Sequence, residues 1–576
     1  MNKRSKKPQL LISWRFTLVA VVVFSVFMAL VVRTAYIQVW APERLVHEGD
    51  LRSVRTMSNF VERGVITDRN GRELAVSVPV RAIYADPKRV HEQNGLDKLE
   101  AWHALADVLE TDSEKLLNKV KDPKRRFVYL KRQVSPAIAG YIEKLKIPGV
   151  YLKAESRRFY PTGEVSAHLV GFTNIDGAGQ EGVEQSYNHW LSAEAGKRQV
   201  RKDRAGRVIE DLDVLSKSKD SNDIVLSIDQ RLQAIAYKEL KKAVADNQAT
   251  AGSVVVIDIQ TGEVLAMANS PSFNPNDRKQ FKGFLFRNRA ITDAFEPGSV
   301  FKPFTVLTAL EKGVVDDETM LNTSPGYMNI GGRRVRDSRN YGTIDLTTVI
   351  QKSSNVATSQ LALKVGVNSM IDTFYRLGFG NDAGLGLVGE SAGQVPQRSR
   401  WSDFELATLS FGYGVMATPL QIAHAYATVG SAGFAKPISI LKVDKAEKGK
   451  QVFNSQNTKA LLEMMESVTL EGGTGRKAAV EGYRIAGKTG TSRKAIRGGY
   501  GDDYVAIFAG VAPLTNPRLA IVVTVDEPQG DTYYGGSVSG PVFSKVMEAG
   551  LHFLNVAPDA DVKQWVQLEE LADARS

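Results

Sequence analysis

The chain has 576 residues, 43% of them hydrophobic, enough for two or more domains with cores of their own. Its net charge is +10, but the basic residues are spread along the chain without an RNA-binding or helix-turn-helix signature, so the surplus reads as a solvated surface and no nucleic-acid partner is expected. The absence of cysteine excludes disulfides, thiolate metal sites and a cysteine nucleophile, and the seven histidines include no His-Glu-x-x-His pair, so no metal or other cofactor is expected.

The first element follows a basic leader, residues 1–15, that carries Lys3, Arg4, Lys6, Lys7 and Arg15. Residues 16–32 are uncharged and rich in Val, Leu, Phe and Ala, at the short end of what crosses a bilayer. Arg33 can snorkel and Tyr36 and Trp40 suit an interface, which extends the segment to residues 16–40. A cleaved signal peptide is the alternative. It calls for a shorter apolar core and a small-x-small site, and none follows Val32. The reading is an uncleaved single-pass anchor, with the leader in the cytoplasm and everything after about residue 40 outside.

Residues 41–225 are mixed and charged. Asp68-Arg69-Asn70-Gly71-Arg72 reads as a hairpin turn, and residues 102–120 read as helices. No nucleophile or metal cluster emerges here, so a structural or partner-binding module is expected. Beyond it, residues 223–229 read as a strand and a helical pattern runs through Val244. Ser253-Val254-Val255-Val256-Ile257-Asp258 and Glu263-Val264-Leu265-Ala266-Met267-Ala268, joined through Thr261-Gly262, predict an antiparallel hairpin. Residues 504–513 and 518–525 predict a second strand pair. Strands at both ends with helices between them predict an α+β sheet closed by N- and C-terminal strands.

Ser299 sits in Glu296-Pro297-Gly298-Ser299-Val300-Phe301-Lys302-Pro303-Phe304, where Pro-Gly punctuation gives way to an apolar helical run. Positions three apart share a helix face, so the Lys302 amine is placed to take the Ser299 proton if it is uncharged. A helix start also offers oriented N–H groups where an oxyanion forms. Ser-x-x-Lys alone is weak, because Ser216-Lys217-Ser218-Lys219 and Ser439-Ile440-Leu441-Lys442 match it too. Two further motifs complete a set. Ser353-Ser354-Asn355 lies in a helical-looking stretch, residues 346–363, and offers a hydroxyl relay at Ser353 and an amide at Asn355. Ser272-Phe273-Asn274, Ser338-Arg339-Asn340 and Ser455-Gln456-Asn457 match the same pattern. Gly487-Lys488-Thr489-Gly490-Thr491 reads as a strand in which Thr489 and Thr491 share a face and could grip a carboxylate, while Gly490 leaves room for a substrate backbone. An ideal pleat aims Lys488 the other way, so its head would have to reach round toward the serine motif.

Ser-x-x-Lys, Ser-x-Asn and Lys-Thr-Gly in that order are the signature of penicillin-binding proteins and serine β-lactamases. Over nearly its whole length the chain resembles the class B penicillin-binding proteins, most closely the division-specific transpeptidases. The resemblance also rests on Arg63-Gly64-Val65-Ile66-Thr67-Asp68-Arg69-Asn70-Gly71, Arg158-Phe159-Tyr160-Pro161, Gly179-Gln180-Glu181-Gly182-Val183-Glu184, Asn288-Arg289-Ala290 and Phe411-Gly412-Tyr413-Gly414. It implies an α+β fold, a penicillin-binding/serine β-lactamase-like transpeptidase domain of antiparallel sheet and helices, at residues 226–560. A mixed α/β non-catalytic pedestal at 41–225 and one membrane helix precede it, and a tail, 561–576, follows.

The implied reaction is D,D-transpeptidation between stem pentapeptides of lipid-linked or nascent glycan in septal wall synthesis, with β-lactams as covalent inhibitors. Ser299 attacks the penultimate D-alanine carbonyl, Lys302 serves as base with Lys488 as a second cation close by, Ser353 shuttles the proton to the leaving amine, and Asn355 holds the substrate amide. Thr489 and Thr491 bind the terminal carboxylate, and the N–H groups of Ser299 and Thr491 form the oxyanion hole. Bringing a lysine from about 10.4 to near 7 amounts to roughly 4–5 kcal/mol, which burial and a second cation at Lys488 favour. Implied partners are a membrane glycan polymerase of the SEDS family (FtsW-like) and other division proteins. An elongation-type class B transpeptidase shares every catalytic motif. A D,D-carboxypeptidase or β-lactamase shares the site without needing so large a pedestal, a bifunctional class A synthase needs a glycosyltransferase domain for which 41–225 shows no pattern, and a β-lactam sensor or scaffold does not need the full catalytic set. Glu390 lies near where class A β-lactamases keep a water-activating glutamate, but without that loop's context, so it reads as structural.

Overall fold

In the computed structural model, which describes residues 14–40, 42–58, 61–193, 196–203, 208–216 and 221–560, the chain divides into two units. The leader lysines Lys3, Lys6 and Lys7 with Arg4, the Lys217 and Lys219 of one false Ser-x-x-Lys match, and the tail 561–576 lie outside the described residues.

One unit takes residues up to 61 together with 193–220. Its helix Trp14–Ala35 passes into a π turn, Tyr36–Trp40, and buries no side chain. Trp14–Val39 is long and apolar enough to cross a bilayer. The start lies two residues earlier than the sequence reading. After helix Pro42–Ser53, strand Val54–Ser58 pairs antiparallel with Lys197–Lys202, which pairs with Val208–Ser216.

The other unit holds residues 62–192 and 221 onward. Near its start the expected hairpin forms: Ile66–Thr67 turns through Asp68, whose carboxylate accepts from the N–H groups of Asn70 and Arg72, into Glu73–Ala85. That long strand also pairs with Val128–Val134 and Val150–Phe159. Helices Leu99–Val108 and Ser113–Val120 share a core with it through Trp102, Leu105, Leu116 and Ile83. The three sequence stretches Arg63-Gly64, Arg158-Phe159 and Gly179 to Glu184 converge on one buried carboxylate: Arg63 Nε donates to Glu184 Oε2 (2.5 Å) and Arg158 Nε to Oε1 (2.6 Å). Removing one partner of such a triad would strand a buried charge, so the three stretches are tied to one another.

Ala251–Asp258 (β1), Val264–Ser270 (β2), Ala486–Ile496 (β3), Gly499–Ala512 (β4) and Leu519–Asp526 (β5) form a five-stranded sheet in the order β2-β1-β5-β4-β3, antiparallel throughout. The apolar runs that predicted these strands do not alternate because helices cover both faces. Leu232, Leu240, Val546 and Met547 pack on Val254, Val256 and Val523, while Phe304, Ile422 and Val429 belong to the core that takes Val255, Ile257 and Val522. Strands from both ends of this region thus close one sheet, as expected, and β3 is left as its edge. The strand expected at 223–229 shortens to Ile224–Val225, because Asp229 turns its carboxylate to the N–H of Arg231 and caps the helix Gln230–Asp246.

Candidate active site

Ser299 lies in a 3₁₀ turn, Gly298–Phe301, that runs into the helix Lys302–Glu311. With three residues per turn, positions i and i+3 eclipse, so the turn stacks Ser299 over Lys302 more directly than an α-helix would. Gly298 supplies a positive φ of 59°. Contacts from distant segments hold the turn: Gly298 N–H donates to Gly412 O (3.2 Å), Tyr426 Oη to Val300 O (2.9 Å) and Thr305 Oγ1 to Ser410 O (2.7 Å). A Cβ at Gly412 would fall 2.3 Å from Gly298 O, and Gly414 N–H donates to Glu296 Oε1 (2.7 Å). The Phe-Gly-Tyr-Gly stretch therefore buttresses the nucleophile turn, a role its sequence does not reveal.

Ser353 departs from the sequence reading. Residues 346–363 are not one helix but two, Leu346–Lys352 and Asn355–Val365, and Ser353 stands between them in the left-handed region (φ 59°, ψ 47°). The break has a physical cause in Asp337, a buried residue that sequence reasoning missed. Its Oδ2 accepts from Ser354 Oγ (2.6 Å), and its Oδ1 accepts from the N–H groups of Asn355 (2.5 Å) and Val356 (3.0 Å). Ser354 Oγ also accepts from Ala357 N–H, so the second helix starts with a full cap. A left-handed serine costs about 1–3 kcal/mol, which this cap offsets. Asn355 Nδ2 donates to Arg336 O (2.9 Å).

The turn and the break bring the motif residues together. Lys302 is 1% exposed and Lys488 is fully buried, and each donates to the Ser353 hydroxyl at 3.0 Å. Lys302 donates to Ser353 O as well, and Lys488 to Thr489 O (3.2 Å). Burial, with the Lys488 charge adding to it, holds the Lys302 ammonium well below the usual lysine range, and Asp337 pulls weakly the other way. Burial brings Lys488 down to about 7. Both shifts favour the uncharged amine over the ammonium, the form that a base at Lys302 requires. A hydroxyl has two lone pairs and one proton. With both amines donating to it, the Ser353 proton is free for a third group.

Lys488 does not need to reach round. On β3 it shares a face with Gly490 and Ser492, and that face is the one packed on the nucleophile turn. A Cβ at Gly490 would lie 2.9 Å from Val300 Cγ1 and 3.3 Å from Pro297 O, and one at Gly298 would lie 3.3 Å from Ser492 Cβ. Thr489 and Thr491 share the other face, as period two predicts. Thr489 Oγ1 bonds Thr474 Oγ1 (2.7 Å), and Thr491 Oγ1 accepts from Gly535 N–H (3.1 Å). As an edge strand, β3 keeps every second N–H and C=O free to pair with an extended peptide.

The false matches behave differently. Ser439 Oγ closes a local turn on Leu441, and Lys442 Nζ donates to Arg69 O. Ser272, Ser338 and Asn457 bond Glu164 O, Tyr341 and Glu311 respectively. Glu390 accepts from Ala383 N–H (2.7 Å) and Leu385 N–H (3.1 Å), so both oxygens tie its own loop. Among the described residues no cluster of His, Cys, Asp and Glu could hold a metal ion.

Two family descriptions match the chain: "Penicillin binding protein transpeptidase domain" over residues 252–548, and "Penicillin-binding Protein dimerisation domain" over residues 58–226. The chain is 51% identical over 560 residues to the peptidoglycan D,D-transpeptidase FtsI of Escherichia coli (strain K12), covering 97% of this chain and 95% of that protein. It is 40% identical, with the same coverage, to the probable peptidoglycan D,D-transpeptidase PenA of Neisseria meningitidis serogroup A. Among solved structures, the transpeptidase domain of penicillin-binding protein 3 from Burkholderia pseudomallei aligns with a TM-score of 0.54 at 39% identity, covering 58% of this chain and 98% of that one.

Proposed function

This chain belongs to the penicillin-binding protein transpeptidases, and from that premise we propose how its residues divide the work of a serine D,D-transpeptidase that cross-links peptidoglycan stem peptides in septal wall synthesis and is acylated and inhibited by β-lactams. The observation that carries the reading is the convergence of two buried lysines on one serine hydroxyl beside the Ser299 turn.

Ser299 Oγ attacks the penultimate D-alanine carbonyl, and its proton passes to the neutral Lys302 amine. The N–H groups of Ser299 and Thr491 receive the oxyanion, and losing one such donor costs about 3–4 kcal/mol. As the tetrahedral intermediate collapses, the proton returns through Ser353 to the departing D-alanine nitrogen, leaving an ester on Ser299. The amine of a second stem then attacks the ester, gives up a proton along the same route, and forms the new amide while Ser299 is regenerated. Asn355 holds the substrate amide, Thr489 and Thr491 bind the terminal carboxylate, and the residual charge on Lys488 keeps Lys302 neutral. Glu390, tied to its own loop, supplies no hydrolytic water, which fits a transferase with a slowly hydrolysed penicillin adduct.

Residues 226–560 carry this chemistry, and residues 41–225 serve as a pedestal. The N-terminal apolar helix anchors the protein in the inner membrane with the catalytic domain in the periplasm at the division septum. There a membrane glycan polymerase of the SEDS family and other division proteins are its partners. Incubating the purified protein and such a polymerase with lipid-linked glycan precursor tests this: cross-linked dimeric stems are expected, and release of D-alanine without any cross-link would make it a carboxypeptidase instead. Imaging a tagged copy decides septum against lateral wall.

A further inference from the structure

In the pedestal, the sheet of Val128–Val134, Glu73–Ala85 and Val150–Phe159 carries aromatic rings on the face turned away from its core. Tyr84 stands opposite Tyr129 on one neighbouring strand and opposite Tyr151 on the other. Residues in register across strands share a face, so the three tyrosines form a row roughly 10 Å long at a strand spacing of about 4.8 Å. Their sequence neighbours Ile83, Ala85 and Leu130 point the other way, into the core with Trp102 and Ile142. Phe127, just before the first of these strands, stacks on Tyr84 (ring centroids 4.9 Å apart, 28° between planes) and meets Tyr129 edge to face (4.7 Å, 85°). It remains 47% exposed, with one ring face held against Tyr84.

Basic charge surrounds these rings. Residues 119–132 hold seven lysines and arginines against one acid, Asp122. Arg125 pairs with Asp122, Arg126 with Asp86, and Arg132 with Glu155 and Asp176. Lys121 and Lys124, both exposed, pair with no carboxylate among the described residues. The Arg132 guanidinium lies 4.9 Å from the Tyr129 ring centroid, and Arg89 Nη1 donates to Tyr151 Oη (3.0 Å), so the row is fixed at both ends.

A fixed row of half-buried rings topped by one exposed ring suits a flat, amphipathic ligand. The C–H groups of a pyranose carry slight positive charge and meet the negative face of an aromatic ring, while its hydroxyls stay in water or reach the phenol oxygens. Cations beside the rings call for anions on the same ligand, and a glycan whose stems end in carboxylates has both. An anionic bilayer asks instead for several protruding apolar side chains, and of these four rings only that of Phe127 is exposed. We propose that this face docks the glycan strands of the cell wall, with Phe127 and the tyrosine row against sugar rings and Lys121 and Lys124 facing carboxylates of the attached stems. The site lies outside the catalytic set and holds the polymer to the protein while its stems react. The proposal rests on the transpeptidase reading for the identity of that polymer.

The test sediments the full-length protein, in detergent and already acylated with penicillin so that the active site is closed, with purified insoluble cell-wall sacculi. Binding should be about three- to tenfold weaker in Phe127→Ala, the scale of one aromatic contact. Phe127→Leu, which keeps apolar bulk without the π face, takes its place should that variant melt early. Lys121→Gln/Lys124→Gln should bind with a smaller salt dependence than the wild type, and so should the wild type on sacculi stripped of their stems by an amidase. Penicillin should acylate every variant at the wild-type rate, because none of these residues belongs to the catalytic set. No sedimentation of the wild type, or equal sedimentation of folded variants, overturns the inference and leaves the face to an acidic protein partner. Wild-type protein that penicillin does not acylate at Ser299 would instead sink the transpeptidase reading, with sacculus binding still measurable.

Discussion

Replacing Lys488 by methionine isolates what keeps Lys302 neutral. Both amines donate to Ser353 Oγ at 3.0 Å. Their separation is therefore at most about 6 Å, where two unit charges repel by about 3 kcal/mol at an effective dielectric constant of roughly 20. Methionine keeps the buried stem and deletes the charge, so the fold should tolerate it. Burial still disfavours the Lys302 ammonium, but about 3 kcal/mol of repulsion is gone, and that is about a hundredfold in its protonation equilibrium. Ser353 also loses one donor, which lowers the maximal rate for a separate reason. The informative quantity is thus the position of the acid limb rather than its height. Time courses of Ser299 labelling by a fluorescent penicillin across pH should show the limb displaced to higher pH in Lys488→Met. A limb that stays in place, or moves to lower pH, in a variant that melts like the wild type would refute a Lys302 base held neutral by Lys488.

Three further outcomes are expected. Asp337→Ala strips the acceptor from Ser354 Oγ and the N–H groups of Asn355 and Val356. At about 1–3 kcal/mol for each unsatisfied buried donor, it should lower Tm by several degrees and slow acylation, whereas Asp337→Asn, which keeps one carbonyl oxygen, should do less of both. Glu390→Ala should loosen the loop it ties and leave penicillin deacylation slow. Rapid turnover by the wild type that this variant abolished would instead make Glu390 a hydrolytic base. The lysine pair also links stability to pH. Lys488 titrates near 7 in the folded protein against 10.5 as its ordinary value, and Lys302 is displaced in the same direction. Between these values the unfolded chain binds more protons than the folded one, so this pair makes stability rise with pH from about 7 toward 10.5. Chemical denaturation at pH 7 and pH 9 should show an increment that the double variant Lys302→Met/Lys488→Met lacks.

The parts of the fold legible in the sequence were those where local pattern and tertiary environment agree. The runs at 253–258, 263–268 and 518–525 are apolar on both faces because both faces of the sheet are covered. The Asp68 turn carries its own side-chain acceptor, the helix Ser113–Val120 its own cap at Asp112, and the helix Leu99–Val108 its own period. Ser299 was readable because Pro297 and Gly298 announce a change of backbone just before an apolar helix. Ser353 was only half readable. Its neighbours Val349, Ile350, Val356 and Ala357 continue a helical period, and nothing local reports that Asp337 caps a second helix there. Lys488 misled for a related reason. Period two correctly set it opposite Thr489, but which face of an edge strand meets the nucleophile depends on Gly490 packing against Val300 and Pro297, a contact between segments far apart in the chain.

The central claim is that Ser299 is the acylated nucleophile of a transferase. Intact-mass measurement after incubation with penicillin, followed by peptide mapping, tests it most directly. One equivalent of intact penicillin should appear on the peptide containing Ser299, persist for far longer than the acylation takes, and be absent in Ser299→Ala. No adduct, an adduct on another residue, or one that survives in Ser299→Ala would contradict the account.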